Sequence, residues 1–449
     1  MMRPAQIMQV PDSAQPRPPV TGLILTGGGA RAAYQVGVLA AVAQLRRDAG
    51  VSGSSPFPVI AGTSAGAINA ATLACHADNF DSAVDGLVHL WQNLHVEQIY
   101  CADAFGVIRT GARWLTMMSL GWAVARWRRT RPRSLLDNAP LGRLLRRWVK
   151  MERLEEMLQA GHMQALAISG SSYTSGQHVT FYQSQRAFEP WLRSQRIAVR
   201  TQLTVEHLLA SSAIPFIFPA EVLDLGGQPE WFGDGSMRQS APISPAVHLG
   251  ADRVLVIGAG RMHEPPSGRA VEQKARALPE GPPSLAQIAG HALSNIFLDA
   301  LAVDVERLQR INNTLSLLPA AARQATSLRP IEVLVIAPSR RLDDLAAEHQ
   351  GSLPPAIKGL LRSVGVAGEG KGASGSALTS YLLFEPSFTN ELINLGMSDT
   401  LARRTEVQQF FGWPTQEPQI DPTALRRRPA GFVENPLKSL AKYQSTRAP

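Results

Sequence analysis

The chain has only two cysteines in 449 residues, Cys75 and Cys101, and neither has the spacing of a metal site. Two thiols make no disulfide framework, which excludes a stapled secreted scaffold and suits a reducing cytosol. No run of about 18 apolar residues occurs, so no transmembrane helix is predicted. The first 20 residues are rich in Pro and Gln and lack the apolar core of a signal peptide; they read as a disordered lead-in. No internal repeat is present. What the chain does have is 45% hydrophobic and 18% charged residues, a globular balance in a length that can bury a large core. Its formal net charge of +8 suits an anionic partner such as a membrane surface, an acidic lipid or nucleic acid, and equally suits plain solubility.

Strand and helix signals alternate, which points to an α/β fold with a largely parallel sheet. Gly22–Thr26 is a short apolar strand, Gly27-Gly28-Gly29-Ala30-Arg31 follows at once, and a helix opens near Ala32. The glycine loop has three readings. A phosphate-binding P-loop would end in Gly-Lys-Ser/Thr, which is absent here. A dinucleotide fingerprint fits loosely as Gly27-x-Gly29-x-x-Ala32, with Asp48 at roughly the spacing of its acidic residue. An oxyanion hole fits because consecutive glycine amides ahead of a helix aim donors at one place. The last is favoured because the next strand, Phe57–Ile60, runs into Gly62-Thr63-Ser64-Ala65-Gly66. A serine between strand and helix, flanked by glycines, can sit on the sharp turn of a nucleophile elbow, although many such pentapeptides are ordinary turns.

Residues 105–153 differ in character. Trp114, Trp122, Trp127 and Trp148 interleave with Arg126, Arg128, Arg129, Arg131, Arg133, Arg143, Arg146, Arg147, Lys150 and Arg153. This pattern fits a helix lying in a bilayer interface, an ordinary helical insertion with a solvated basic face, or, less well, a nucleic-acid patch. Gln164–Ser169 and Gln177–Tyr182 read as a hairpin, Leu203–Ser212 as a helix, Glu221–Leu225 as a strand and Trp231–Ser236 as a turn carrying Asp234. Arg253–Gly258 reads as a strand buried on both faces. Residues 263–283 read as a mobile loop, Ala289–Leu301 as part of one long helix, Glu332–Ala337 as a strand, 365–375 as flexible, and Leu378–Leu395 as a helix interrupted at Pro386. The Pro- and Arg-rich end, 413–449, reads as a disordered tail.

Three motifs therefore stand in order: Gly27–Arg31, Gly62–Gly66 and Asp234-Gly235-Ser236. Together they resemble the patatin-like phospholipase family, as do Ala33–Leu39 and Ser211–Phe216. The resemblance covers Thr21 to Gly258, and Tyr381–Phe384 looks like the C-terminal part of bacterial members. Two departures stand out: Ala32 where the family usually has glycine, and Ser236 where it has alanine or glycine. The resemblance implies a three-layer α/β/α sandwich with a mostly parallel central sheet. It implies an acyl hydrolase domain over 21–260 that includes the basic insertion, with 261–412 an extension packed on the same domain.

It also implies a Ser64–Asp234 dyad. No histidine after Asp234 (His248, His263, His291, His349) sits in a motif-like turn that would complete a triad. The amides of Gly28, Gly29 and Ala30 would hold the oxyanion, Gly27, Gly62, Gly66 and Gly235 would shape the turns, and Arg31 would contact a lipid phosphate. The expected substrate is a phospholipid, lysophospholipid or other lipid ester. No metal or cofactor is called for, no nucleic acid is expected, and the expected location is cytoplasmic or peripheral at a membrane. The rival reading is a catalytically inactive member of the fold that only binds membranes.

Overall fold

Short apolar runs become the strands of one mixed sheet. The computed structural model describes residues 18–101, 134–189, 191–193, 195–260, 284–296, 300–366 and 375–414. Its strands are β1 (Thr21–Leu25), β2 (Val59–Thr63), β3 (Ala165–Ser172), β4 (His178–Ser184), β5 (Leu192–Arg193), β6 (Arg196–Arg200), β7 (Glu221–Leu225), β8 (Gln228–Asp234), β9 (Arg253–Ile257) and β10 (Glu332–Ile336). They lie in the order β10-β9-β1-β2-β3-β4-β6-β5, with β8 also pairing β3 and β7 pairing β8. The pairs from β10 to β3 are all parallel.

Side-chain alternation sorts the core into two layers. Leu23, Leu25, Ile60, Leu166, Ile168, Leu255 and Ile257 face one cluster; Ile24, Val59, Ala61, Ala165, Ala167, Val254 and Val256 face the other. A sheet buried on both faces needs helices on both, which makes the three-layer sandwich. The first layer includes α1 (Ala33–Asp48), α2 (Ala65–Cys75), α3 (Phe80–Gln92), α4 (Ala139–Trp148), α5 (Val205–Ser211), α6 (Ser376–Leu382) and α7 (Pro386–Ala402). Helix Ala300–Leu317 supplies Leu301 and Val305 to the second.

Long-range pairing changes one local reading. Trp231–Asp234 is the end of a strand rather than a turn, because β8 pairs with both β3 and β7; a 3-10 turn, Gly235–Arg238, begins only after it. The apolar stripe Ala289–Leu301 lies on helices Leu285–Ser294 and Ala300–Leu317, with positions 297–299 between them outside the described residues. Leu378–Leu395 is interrupted at Pro386, as expected: α6 ends at Leu382 and α7 opens with Pro386 in its first turn, where its missing N–H costs nothing. The expected N-terminal lead-in through residue 17, positions 105–133 of the basic segment, the loop 263–283, positions 367–374 of the glycine-rich stretch and the tail from 415 lie outside the described residues.

The C-terminal elements are part of the core. β10 extends the sheet beside β9, and α7 packs along α1. Phe388 of α7 is fully buried in the first layer. Phe388→Ala should lower unfolding stability by about 3–5 kcal/mol, read from the urea midpoint; an unchanged midpoint would show that α7 is not in the cooperative unit.

Candidate active site

The site is assembled on one edge of β3. β4 occupies the other edge through Ser171. On the open edge β2 runs parallel as far as the Thr63–Ser169 pair, and β8 takes over antiparallel from the Gly170–Asp234 pair. Two strands thus meet head-on, with Thr63 and Asp234 about one residue rise apart, roughly 3.3 Å along that edge. Ser64 is the first residue beyond β2 and so arrives beside Asp234.

Ser64 has φ 56° and ψ −133°, one of three non-glycine residues with positive φ among the described residues. Such backbone costs on the order of 1–3 kcal/mol and is held only by its surroundings. The Ser64 amide donates to Ser211 Oγ of α5 at 2.9 Å. Gly66 lets α2 start against β1: a Cβ there would lie 2.4 Å from the Leu25 carbonyl oxygen. This is the strand–turn–helix geometry of a nucleophile elbow.

Asp234 is completely buried. Its Oδ1 accepts from the Ser236 amide at 2.9 Å, and its own amide donates to the Ala213 carbonyl at 3.0 Å. Burial pushes its carboxyl up to about 6, and the nearby Ser64 hydroxyl and the Ser236 amide and hydroxyl pull it back only in part. Among the described residues neither Ser64 Oγ nor Asp234 Oδ2 has a partner of regular hydrogen-bond geometry. The two groups are near enough to act on each other but not closed into a bond, as is common before substrate arrives.

The glycine loop lies against the same site. Gly29 has φ +55°, and a Cβ there would lie 2.3 Å from the Tyr381 carbonyl oxygen of α6. Among the described residues no carbonyl takes the amides of Gly28, Gly29 or Ala30, whereas the Arg31 amide is used by Gly28. A buried polar chain that sequence reasoning missed fixes the loop to the elbow helix. Gln35 Nε2 donates to the Thr26 carbonyl at 2.7 Å, Asn69 Nδ2 donates to Gln35 Oε1 at 3.1 Å and to the Ala32 carbonyl at 3.3 Å, and Trp91 Nε1 donates to Asn69 Oδ1 at 2.9 Å. Ser211 was also missed: Ser211–Phe216 was legible as a motif, but nothing in it signalled that the hydroxyl would hold Ser64.

One expectation is corrected, and one disfavoured alternative falls. Arg31 does not face a substrate phosphate. It is 2% exposed, ion-paired with Asp343, bonded through Nε to Ser380 Oγ at 2.8 Å, and stacked on the Tyr381 ring at 3.9 Å. The dinucleotide reading of the loop also fails, because Asp48 ends α1 and no acidic residue ends β2.

The histidines after Asp234 do not complete a triad among the described residues: His248 stacks on Trp191 and His349 pairs with Glu391. His291 lies exposed on helix Leu285–Ser294, and His263 is outside the described residues. His178, on β4, does reach the Asp234 turn and bonds the Gly235 backbone, but burial, with help from Arg196, pushes it down to about 4 and keeps it neutral.

A narrow apolar cleft opens at Ser64. Its cavity volume is only about 40 Å³, and its lining includes Gly29, Ser64, Trp91, Leu94, Leu145 and Phe384, with no charged side chain. α4 turns Leu141 and Leu145 inward and exposes Arg143, Arg146 and Arg147.

The raised carboxyl has a stability consequence. A folded pKa of about 6 against the ordinary 3.8 means that the folded state holds this proton more tightly. Its contribution is complete below about pH 4 and is lost as pH rises through 6. Asp234→Asn should therefore be more stable than the native chain at pH 7.5, by on the order of 2–3 kcal/mol, with the gain vanishing near pH 4. Thermal melts at the two pH values check this; an equal effect at both would contradict a buried ionised carboxylate.

A model of the family described as patatin-like phospholipase matches residues 23–247, half of the chain. No curated protein matches significantly. Among solved structures, human GIVD cytosolic phospholipase A2 with a methyl gamma-linolenyl fluorophosphonate inhibitor is 14% identical, with 91% of this chain and 60% of that chain covered and a TM-score of 0.38. VipD from Legionella pneumophila is 12% identical, with 84% and 67% covered and a TM-score of 0.30. The chain thus spans about 60% of the human enzyme's length. With that match enclosing the glycine loop, the elbow serine and the buried aspartate, the chain belongs to the patatin-like phospholipase family.

Proposed function

We propose that the chain is a serine acyl hydrolase that cleaves fatty-acyl esters of phospholipids or lysophospholipids through a Ser64–Asp234 dyad. The observation that carries this reading is the serine in strained elbow backbone, beside a buried carboxylate and at the end of a wholly apolar cleft. The apolar lining suits an acyl chain that widens the cleft as it enters, because burying each methylene contributes about 0.8 kcal/mol. Asp234 Oδ1 is occupied by the Ser236 amide, so Oδ2 is the oxygen free to take the Ser64 proton.

Ser64 Oγ then bonds to the ester carbonyl carbon, and the negative charge moves to the carbonyl oxygen. The amides of Gly28, Gly29 and Ala30 receive that charge. Collapse breaks the ester C–O bond, Asp234 returns the proton to the leaving alcohol, and water hydrolyses the acyl-Ser64 ester by the same steps.

Among the described residues no helix is long and apolar enough to cross a membrane. Contact with a bilayer is peripheral in this reading, supported by the exposed arginines of α4, whose inner face lines the acyl cleft.

Ser64→Ala should lose about 10³-fold or more in kcat and all labelling by a fluorophosphonate, with melting near that of the native chain. Failure of the native chain to label, with liposome binding intact, would favour the rival, inactive membrane-binding reading. Because Asp234 must be deprotonated to act as base, kcat/KM should rise with pH through an apparent pKa near 6. A profile flat between pH 5 and 7 would remove Asp234 from that role.

A further inference from the structure

With Arg31 sealed under α6, the glycine-loop arginine offers nothing to the anionic end of a phospholipid. A second cleft adjoins the dyad and has the opposite character to the acyl cleft. It holds about 680 Å³, and its wall includes Arg196, Arg238, Gln195, Gln239, Asn295 and Ser236, with no acidic side chain. Two of these residues touch the catalytic strand ends. The Ser236 amide binds Asp234 Oδ1, and Gln239 Nε2 donates to Thr63 Oγ1 at 2.8 Å, one residue before Ser64.

Both arginines carry uncompensated charge among the described residues. Arg238 Nη1 is steadied by neutral acceptors, the Gly176 carbonyl at 2.7 Å and Gln195 Oε1 at 3.3 Å. Arg196 forms no ion pair there; its positive field adds to the burial that lowers the pKa of His178 and His248 and partly offsets the burial that raises Asp304. The neighbouring cleft shares Arg196 and adds Arg193 and Arg307 against one carboxylate, Asp304, which is buried and accepts the Ile243 amide at 3.0 Å. Cations therefore outnumber anions around Arg196. Guanidinium forks match phosphate oxygens in shape and charge, and amide and hydroxyl side chains can complete the set.

We infer that this cleft takes the phosphate group of the ester substrate, with Arg196 and Arg238 as its main ligands, while the acyl chain occupies the apolar cleft. The inference rests on Ser64 as the nucleophile, and it assigns the substrate class as a phosphate-bearing lipid ester rather than a neutral one. Binding at Arg196 and Arg238 sets KM, because the phosphate does not change charge during acyl transfer.

The test compares a lysophospholipid with a monoacylglycerol of the same acyl chain. Arg196→Gln and Arg238→Gln should each lower the ratio of kcat/KM for the two substrates, phosphate-bearing over neutral, tenfold or more and mainly through KM, with Arg196→Lys recovering part of it. An unchanged ratio, or equal losses on both substrates, overturns the inference. Inorganic phosphate that alters monoacylglycerol turnover in the native chain, with the ratio unchanged in the variants, also overturns it by making the cleft an effector site.

Calorimetry of glycerol 3-phosphate on the Ser64→Ala chain decides the cleft without turnover. Saturable binding weakened tenfold or more by Arg196→Gln supports the inference, and no binding, or binding indifferent to that change, overturns it. A native chain that cleaves neither ester sinks the hydrolase reading and leaves this binding result to judge the cleft. Arg196→Gln removes no hydrogen bond of the kind Arg238 makes, so its folding should be spared, and a melt checks this.

Discussion

The site depends on one sheet constraint: two strands share a single edge of β3 and meet end to end. β2 stops at the Thr63–Ser169 pair and β8 at the adjacent Gly170–Asp234 pair. Register is enforced by burial, since a slip of one residue would turn Leu166 and Ile168 to the wrong layer. The meeting of Ser64 and Asp234 is therefore as rigid as the core. A short side chain on each strand end is enough, and no long, adjustable residue has to bridge them.

The glycine loop is held from a different part of the chain. Gly29 lies against the Tyr381 carbonyl, and Arg31 is clamped by Asp343, Ser380 and the Tyr381 ring. All of these partners lie beyond the region matched by the family model, yet they press the glycine loop into place. A buried arginine is tolerable only when its charge and donors are met, and here carboxylate, hydroxyl and aromatic face do so together. The chain Thr26–Gln35–Asn69–Trp91 ties the same loop to the elbow helix. Loop and elbow thus move as one body, which is the preorganisation that electrostatic stabilisation of an oxyanion requires.

Charge is partitioned around the dyad. The cleft at Ser64 carries none. Asp234 is buried with one oxygen occupied and one open, so its basicity rises through burial while its orientation is kept by the Ser236 amide. The cleft beside Ser236 and Gln239 carries two arginines and no acid. An amphipathic ester, apolar at one end and anionic at the other, matches this division.

Much of this was legible in the order of residues. The three glycine motifs, the apolar runs of β1, β2, β9 and β10, and the elbow serine follow from local chemistry: a tight turn needs glycine, and a strand buried on both faces needs unbroken apolar residues. Asp234 was legible as a motif but not as the end of a strand, because β8 exists only through pairing with β3 and β7. Arg31 shows the limit most clearly. A basic residue after a glycine loop is locally indistinguishable from a phosphate ligand, and its burial is set by Asp343 and Ser380, 312 and 349 residues away. The sequence by itself determined which groups can do chemistry and which turns can carry them, since both depend on a few neighbouring residues. Only the tertiary structure decided which groups meet, which arginine is sealed and which remain free, because burial and pairing are set by contacts across the whole chain.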